Sequence, residues 1–508
     1  MDLVADLAAT PPSPIPHDRT ATTFLNGTFS SLDPNNTAPT TEVAAMAIWH
    51  MIQGFLGAFP EYNPPDNSSL GVNLFAESYG GKFGPVIAET WEEQNAKRAN
   101  GSISASTLDI HLVSLGIVNG CVDDLVQGPS YAEMAVNNTY GVEAISPVRA
   151  QLANASFYQP DGCRDKILAC REAATELDPD NEGGNESVNS ICSDATNICT
   201  NQLLGPYIDS GLSVYDIAHR TPDSFPPSYY VDYLNSRPVQ DAIGSVVNYS
   251  DSSIAVRRAF TATGDWERGP LVPKLAALLN SGVRIGLMYG DRDFICNWLG
   301  GEAVSMSIAE TAGEPYASHF PEAGYAPIIV NDTYIGGVVR QFGNLSFSRI
   351  YQAGHFIPAY QPETAFQVFA RIIMGTSIST GEPAALADFN TTGPLNATSS
   401  LSLPHSPSAT CYVRAMAASC PKDAVSSILQ DKGVIINGVW YPESSDWPGA
   451  TATSKPTGKS TSSSASPTLT GLFTATATPK NAGVRILPSS RSLVLLGGVL
   501  AMSLAWLL

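Results

Sequence analysis

The segment 76–80 (AESYG) is typical of a nucleophilic serine on a sharp turn. It departs by one residue from the pattern G-x-S-x-G, in which small residues on either side of the serine let a strand and a helix approach closely. Ala76 is small enough for this position. An apolar run at 70–75 precedes the motif and a helical segment follows it. We therefore expect Ser78 to attack a carbonyl carbon, with the N–H of Tyr79 at the helix N-terminus stabilising the oxyanion.

A serine nucleophile needs a histidine base, and in this strand-turn-helix context the histidine comes after the acid in the chain. The sequence has seven histidines. His355 directly follows a strand-like run at 347–352 and a permissive Gly354, where a catalytic loop belongs. By contrast, His319 follows no strand, and His405 lies in a Ser/Pro-rich linker that cannot hold a precise geometry. His355 is therefore the predicted base.

The acid that orients the base is expected after a strand between the serine and the histidine. An apolar run at 283–289 leads into the segment 290–293 (GDRD). We expect Asp291 to organise this turn and Asp293 to reach the base. Because Gly and Asp are also ordinary turn residues, this segment is weak evidence by itself.

Apolar runs alternate with amphipathic segments along the first 380 residues, which favours a mostly parallel sheet. The predicted strands are 70–75, 110–117, 283–289 and 347–352, and the predicted helices are 41–59, 82–95, 271–281 and 363–374. Together with the serine motif, this pattern predicts an α/β-hydrolase fold over residues 1–380, with helices on both faces of the sheet.

The eight cysteines favour disulfides over a metal site. Four of them lie within a weakly periodic segment at 158–206, which we interpret as a disulfide-stapled insertion, and Cys411 and Cys420 form a second close pair. Neither group shows the C-x-x-C pairs and histidines of a zinc site. Cys121 and Cys296 are left without an assigned partner. No metal or nucleotide motif appears, so we expect no cofactor.

The net charge of −20 excludes nucleic acid as an expected partner, because phosphate binding needs clustered Lys and Arg. An acidic surface suits an enzyme of an acidic medium, or serves solubility alone. Twelve Asn-x-Ser/Thr sequons occur where chance predicts roughly five. The sequons and cysteines predict a glycosylated protein of the secretory pathway.

The composition changes after residue 380. We predict a linker at 381–409, a small cystine-linked unit at 410–443 with a hairpin around Asn437-Gly438, and a Ser/Thr/Pro-rich stalk at 444–480. Small residues, a polar spacer and a sixteen-residue apolar tail then make 481–508 typical of a GPI-anchor signal, so we expect attachment to the cell surface. A short transmembrane tail is the alternative.

Three long motifs, taken together, resemble the serine carboxypeptidases, in their fungal, carboxypeptidase-Y-like branch. They are ESYGGKFGP at 77–85, GDRDFICNWLG at 290–300 and AGHFIP at 353–358. The shorter segments FPEY at 59–62 and GDW at 264–266 also match, and the resemblance spans roughly residues 26–374.

The resemblance implies a peptidase that releases C-terminal amino acids at acidic pH through an acyl-enzyme formed on Ser78. Glu77 would help to hold the C-terminal carboxylate of the substrate by sharing a proton. Cys296 would be a free, mercurial-sensitive thiol lining the substrate pocket, together with Phe356. The cysteines of the insertion would pair in a nested order, Cys163–Cys199 and Cys170–Cys192.

Two features of the family are missing from the N-terminal region. Residues 1–20 lack the basic and apolar parts of a signal peptide. The Gly-Gly-Pro-Gly loop that supplies the second oxyanion N–H in the family is also absent. We therefore expect an N-terminally truncated sequence. The alternatives to a carboxypeptidase are an acyltransferase or esterase on the same site, and a catalytically inactive cell-surface glycoprotein.

Overall fold

The structure is a computed structural model that describes residues 2–6, 13–15, 24–59, 62, 71–397 and 399–449. The predicted stalk beyond residue 449 and the predicted GPI signal at 481–508 lie outside these ranges. Within them, no helix combines the length and the apolar character needed to cross a membrane.

The described strands, in chain order, are β1 Asp2–Asp6, β2 Ser13–Ile15, β3 Phe24–Thr28, β4 Gly71–Glu77, β5 His111–Val118, β6 Arg284–Gly290, β7 Ala326–Asn331, β8 Tyr334–Phe342, β9 Leu345–Ile350, β10 Val434–Ile436 and β11 Val439–Tyr441. The described α-helices are α1 Thr41–Ala58, α2 Gly80–Ala99, α3 Asp124–Met134, α4 Pro147–Tyr158, α5 Cys163–Leu177, α6 Glu186–Cys199, α7 Gly205–Ile208, α8 Tyr229–Leu234, α9 Arg237–Ile243, α10 Ile254–Thr263, α11 Leu271–Asn280, α12 Trp298–Ala312, α13 Tyr316–Glu322, α14 Ile357–Tyr360, α15 Pro362–Met374, α16 Met416–Ser419 and α17 Lys422–Ile428.

The described residues form two compact units. The larger contains 31–221 and 250–401, and the smaller contains the residues up to 30 together with 222–249 and 402–449. Every element predicted between residues 41 and 374 has a counterpart in the larger unit, with its ends displaced by a few residues.

A six-stranded sheet in the order β4-β5-β6-β9-β8-β7 forms the centre of the larger unit. The first four strands are parallel, and β8 and β7 are antiparallel additions. Every residue of β6 and of β9 is buried. Burial explains the largely apolar run that marks β6 in the sequence, whereas β9 also buries two serines and an arginine.

Hydrophobic cores lie on both faces of this sheet. Along β6, Ile285 and Leu287 belong to the core that also contains residues of α2, α11 and α12. Met288 belongs to a second core with Val368 and Ile372 of α15. Since successive side chains of a strand point to opposite faces, helices cover both faces of the sheet. This confirms the predicted α/β-hydrolase architecture.

The turn between β4 and α2 places Ser78 in the left-handed region, with φ of 62°. This conformation is strained for a residue that carries a Cβ atom. A Cβ atom on Gly81 would lie 2.6 Å from the carbonyl oxygen of Cys121, and one on Gly80 would lie 2.7 Å from Cβ of Ala76. Gly80 thus leaves room for the Ala76 methyl group, which accounts for alanine at a position where the motif usually has glycine.

The insertion is helical, although its sequence shows little periodicity. It contains the antiparallel helices α5 and α6, which are joined by the disulfides Cys163–Cys199 and Cys170–Cys192. All four of these cysteines are buried. The nested pairing implied by the family resemblance is confirmed, and these cross-links stabilise a segment whose apolar pattern is weak.

The smaller unit contains a three-stranded sheet in the order β2-β1-β3 and the cystine-linked segment predicted at 410–443. The Cys411–Cys420 disulfide packs with Met416 and Ile428. Strands β10 and β11 form the predicted hairpin, and the turn residues Asn437 and Gly438 both have positive φ values. Asn-Gly is the sequence that tolerates this turn best.

The prediction that Cys296 is a free thiol is wrong. Cys296 forms a disulfide with Cys121, with a Cα–Cα distance of 5.0 Å. The sequence did not reveal this pairing because the two cysteines are 175 residues apart. They meet because Cys121 follows β5 and Cys296 follows β6, which are neighbouring parallel strands.

This disulfide predicts the outcome of a thiol titration. The unfolded, unreduced chain should bind no organomercurial, because all eight cysteines are paired in four disulfides. After reduction, eight thiols should titrate. As a control, a Cys121→Ser variant should titrate one thiol before reduction. One or more reactive thiols in the unreduced wild-type chain would contradict the Cys121–Cys296 bond.

Candidate active site

The carboxyl ends of four parallel strands meet at one edge of the large sheet, and each is followed by a residue that can take part in catalysis. Ser78 follows β4, Asn119 follows β5, Asp293 comes three residues after β6, and His355 comes five residues after β9. Ligands of open α/β sheets bind at this edge. The sheet therefore brings the predicted serine, acid and histidine to one edge, although Ser78 and His355 are 277 positions apart in the sequence.

Asp293 and His355 form the predicted acid–base pair. Nδ1 of His355 lies 2.8 Å from Oδ2 of Asp293, and both residues are essentially buried. The backbone N–H of His355 donates to the carbonyl oxygen of Tyr215 at 2.8 Å, which fixes the loop that carries the imidazole. A histidine held through Nδ1 presents Nε2 as the nitrogen that can accept a proton from a nucleophile.

Burial lowers the pKa of His355, but the charge of Asp293, the hydrogen bond to it and the charge of Glu77 outweigh this effect. The resulting pKa lies above the ordinary value of a histidine. Two neighbouring carboxyl groups therefore decide when this imidazole is neutral and able to act as a base.

Glu77, the last residue of β4, is the second acid near His355. Burial raises its pKa to about 7, His355 lowers it and Asp293 raises it. Its Oε1 atom is enclosed and has no hydrogen-bond partner among the described residues. Enclosure of a carboxyl oxygen that has no partner favours the neutral acid. Below about pH 7 Glu77 is therefore a hydrogen-bond donor beside the histidine.

Asp291 does not belong to the acid–base pair. Its Oδ1 accepts a hydrogen bond from the hydroxyl of Tyr140 at 2.8 Å, and its Oδ2 lies 3.7 Å from the guanidinium of Arg349. The same Tyr140 hydroxyl accepts from the backbone N–H of Gln352 at 3.1 Å, on the loop before His355. Asp291 thus organises the turn, as the sequence predicted.

Tyr79 occupies the N-cap position of α2, where the first backbone N–H groups of the helix lack intrahelical partners. Its side chain is buried, and its hydroxyl donates to Oδ2 of Asp265. Asp265 also accepts hydrogen bonds of 2.7 Å from the N–H and from the hydroxyl of Thr41. These contacts anchor the residue whose backbone N–H is the predicted oxyanion donor. Asp265 had no predicted role, although it lies in the GDW segment at 264–266 that matches the family.

Aromatic rings and a sulfur atom also lie near the histidine. The half-buried ring of Phe356 lies 5.7 Å from the ring of Tyr215 and 5.3 Å from His355. Donor atoms of Cys296, Asp293 and His355 lie within 4.8 Å of one another. Because the sulfur of Cys296 is in a disulfide, it offers no thiolate, and these residues do not form a metal site.

Asn119 is a site residue that the sequence analysis did not assign. It is fully buried, and its Nδ2 donates to Oδ2 of Asp293 at 2.7 Å, the oxygen that also contacts His355. The available signal was the Asn119-Gly120 pair at the end of a strand, which by itself indicates only a turn. The contact joins residues 174 positions apart, and it forms because the strands that precede them are neighbours in the sheet.

Comparison with known proteins identifies relatives of the whole catalytic region. The profile of the family described as "Serine carboxypeptidase" matches residues 26–375. "Carboxypeptidase S1 homolog A" of Trichophyton rubrum is 41% identical over 453 residues, which cover 87% of this chain and 68% of that protein. "Carboxypeptidase S1" of Penicillium janthinellum is 33% identical over 340 residues, covering 67% of this chain and 74% of that protein.

A "Carboxypeptidase Y homolog" of Arthroderma benhamiae is 36% identical over 82% of this chain and 66% of its own length. The chain thus spans about two thirds of the length of several of these fungal relatives. The solved structure of a prohormone-processing carboxypeptidase of Saccharomyces cerevisiae is 18% identical, with a TM-score of 0.47 and coverage of 71% of this chain and 72% of that one. From the matched profile and the identity to these relatives, we conclude that the chain belongs to the serine carboxypeptidase family of hydrolases.

Proposed function

We propose that this chain is an acid serine carboxypeptidase that removes single C-terminal residues from peptides. Ser78 attacks the last peptide carbonyl, and His355, oriented by Asp293, accepts the hydroxyl proton and then donates it to the leaving amine. The Tyr79 N–H at the start of α2 stabilises the oxyanion. Water then hydrolyses the acyl-enzyme by the same route. The half-buried Glu77, whose enclosed carboxyl interacts with His355, is the observation that carries the proposal.

Glu77 distinguishes a carboxypeptidase from a general esterase. A neutral carboxyl can donate a hydrogen bond to the terminal carboxylate of a peptide, whereas an ionised one would repel it. The pKa of about 7 keeps Glu77 neutral under acidic conditions. Its protonation also removes one of the charges that raise the pKa of His355, so the base becomes neutral at lower pH. Protonation of Glu77 thus favours both the binding of the terminal carboxylate and the neutral form of His355.

The reaction itself is tested with Ser78→Ala. The wild-type chain, secreted with a supplied signal peptide, should release the C-terminal amino acid from N-blocked dipeptides at about pH 4–6. The Ser78→Ala variant should lose on the order of 10⁶-fold in kcat. Ser348→Ala is the matched control, because its hydroxyl is buried on β9 without a hydrogen-bond partner among the described residues. Ester cleavage without amino-acid release would favour the esterase or acyltransferase alternative.

The role of Glu77 predicts a pH dependence. As the pH rises through about 7, Glu77 ionises and kcat/KM for peptides with a free C-terminus should fall. In Glu77→Gln the side chain stays neutral at every pH, so this fall should disappear, whereas the acidic limb should stay in place because Glu77 is already neutral there. Peptides ending in a carboxamide serve as the control, since they carry no charge for Glu77 to repel. An unchanged alkaline limb in Glu77→Gln would contradict the assignment.

We further propose that the protein is a secretory-pathway glycoprotein held at the cell surface by a GPI anchor. Its four disulfides suit an oxidising compartment. Ten of the twelve sequon asparagines have described side chains, and none of these ten is buried. The ten residues are Asn35, Asn100, Asn137, Asn154, Asn185, Asn248, Asn331, Asn344, Asn390 and Asn396. The anchor rests on the sequence of 481–508 alone.

Expression in a fungal host tests these modifications. Peptide N-glycosidase should lower the mass of the chain, and a phosphatidylinositol-specific phospholipase C should release it from membranes. The control is a chain ending at Lys480, which should appear in the medium without phospholipase. Membrane retention of the shortened chain would contradict the anchor, and an unchanged mass would contradict the glycans.

A further inference from the structure

We infer that Asn119 is a positioning residue that orients the carboxylate of Asp293 toward His355. The inference deepens the proposed function, since it rests on Asp293 and His355 acting as the acid and base of the same site. It is carried by the contacts of one buried amide with three parts of the catalytic edge.

The Asn119 side chain uses all of its principal hydrogen-bonding atoms. Nδ2 donates to Oδ2 of Asp293 at 2.7 Å and lies 3.4 Å from the carbonyl oxygen of Gly354, on the loop that carries His355. Oδ1 accepts from the backbone N–H of Gly290 at 2.8 Å. Exchanging oxygen and nitrogen would place the NH2 group against the Gly290 N–H and an oxygen against the carboxylate. The amide therefore has one satisfactory orientation.

Asp293 depends on this amide because few other groups donate hydrogen bonds to its carboxylate. Its Oδ2 contacts Asn119 and His355, and its Oδ1 has no hydrogen-bond partner among the described residues. Of the two donors, His355 is the group that the carboxylate must orient, whereas Asn119 takes no part in proton transfer. The amide therefore supplies a hydrogen bond that fixes the carboxylate independently of the imidazole.

The backbone of Asn119 is adapted to this role. Its φ is 40°, in the left-handed region, which asparagine tolerates better than most residues with a Cβ atom. Its N–H still bonds the carbonyl oxygen of Met288 at 2.8 Å, so β5 remains paired to β6 up to this point. The strained turn directs the side chain from β5 toward the loop after β6, where Asp293 lies.

The rate at which a fluorophosphonate labels Ser78 tests the inference without assuming a peptide substrate. In Asn119→Ala, the labelling rate and kcat should fall roughly ten- to hundredfold, as expected for loss of a hydrogen bond to a charged group, while KM changes little. Asn73→Ala is the matched control. Asn73 is a buried asparagine on β4 that accepts a 2.7 Å hydrogen bond from the hydroxyl of Ser114 and has no role in the site.

Asn119→Asp gives a second readout that a purely structural role would not produce. This variant keeps an acceptor for Gly290 and the shape of the side chain, so it remains informative if the alanine variant fails to fold. The new carboxyl would lie at hydrogen-bond distance from Oδ2 of Asp293, where the two groups cannot both be ionised and must share a proton. The pH profile of the labelling rate should therefore gain the ionisation of this shared proton, which the wild-type chain lacks and which Asn73→Asp should not produce.

The outcomes separate the inference from the proposed function. Normal labelling rates in Asn119→Ala, or a wild-type pH profile in Asn119→Asp, would overturn the positioning role. If the wild-type chain is labelled in an Asn119-dependent way and yet releases no amino acid from peptides, the inference stands and the carboxypeptidase proposal falls. A wild-type chain that the fluorophosphonate does not label contradicts both.

Discussion

The buried carboxylate of Asp293 is the interaction on which the rest of the site depends. A carboxylate removed from water is tolerated only where donors compensate for its lost hydration. The donors come from two other strand ends, with Asn119 following β5 and His355 following β9. The loops after three parallel strands must therefore converge within hydrogen-bond distance, and the packing of the sheet against helices on both faces makes this convergence possible.

Backbone strain collects at the same edge. Among the described residues, three non-glycine residues with positive φ follow the parallel strands of the large sheet, namely Ser78 after β4, Asn119 after β5 and Gln352 after β9. Such conformations persist only where the surrounding structure imposes them, and they are common at functional sites. Here each turn redirects the chain so that a polar side chain or the histidine loop reaches the space above the sheet. The Cys121–Cys296 disulfide joins two of the loops involved.

The two acids beside His355 have different environments and so suit different tasks. Asp293 contacts two donors, whereas the Oε1 atom of Glu77 has no partner among the described residues, and burial raises the pKa of Glu77 to about 7. This difference supports the proposal that one carboxylate orients the base and the other, as a neutral carboxyl, meets the negatively charged end of the substrate. It also explains why an acidic medium suits the proposed reaction.

The sequence by itself determined the elements and the chemical groups. A largely apolar run marked β6 because this strand is buried throughout, and a mixed run marked β9. The serine motif, the GDRD turn and the histidine after a strand marked Ser78, Asp293 and His355, since each is set by local geometry. Only the tertiary structure decided which distant residues meet. The Cys121–Cys296 bond and the Asn119–Asp293 contact join residues more than 170 positions apart, and no local pattern records which strands become neighbours in a sheet.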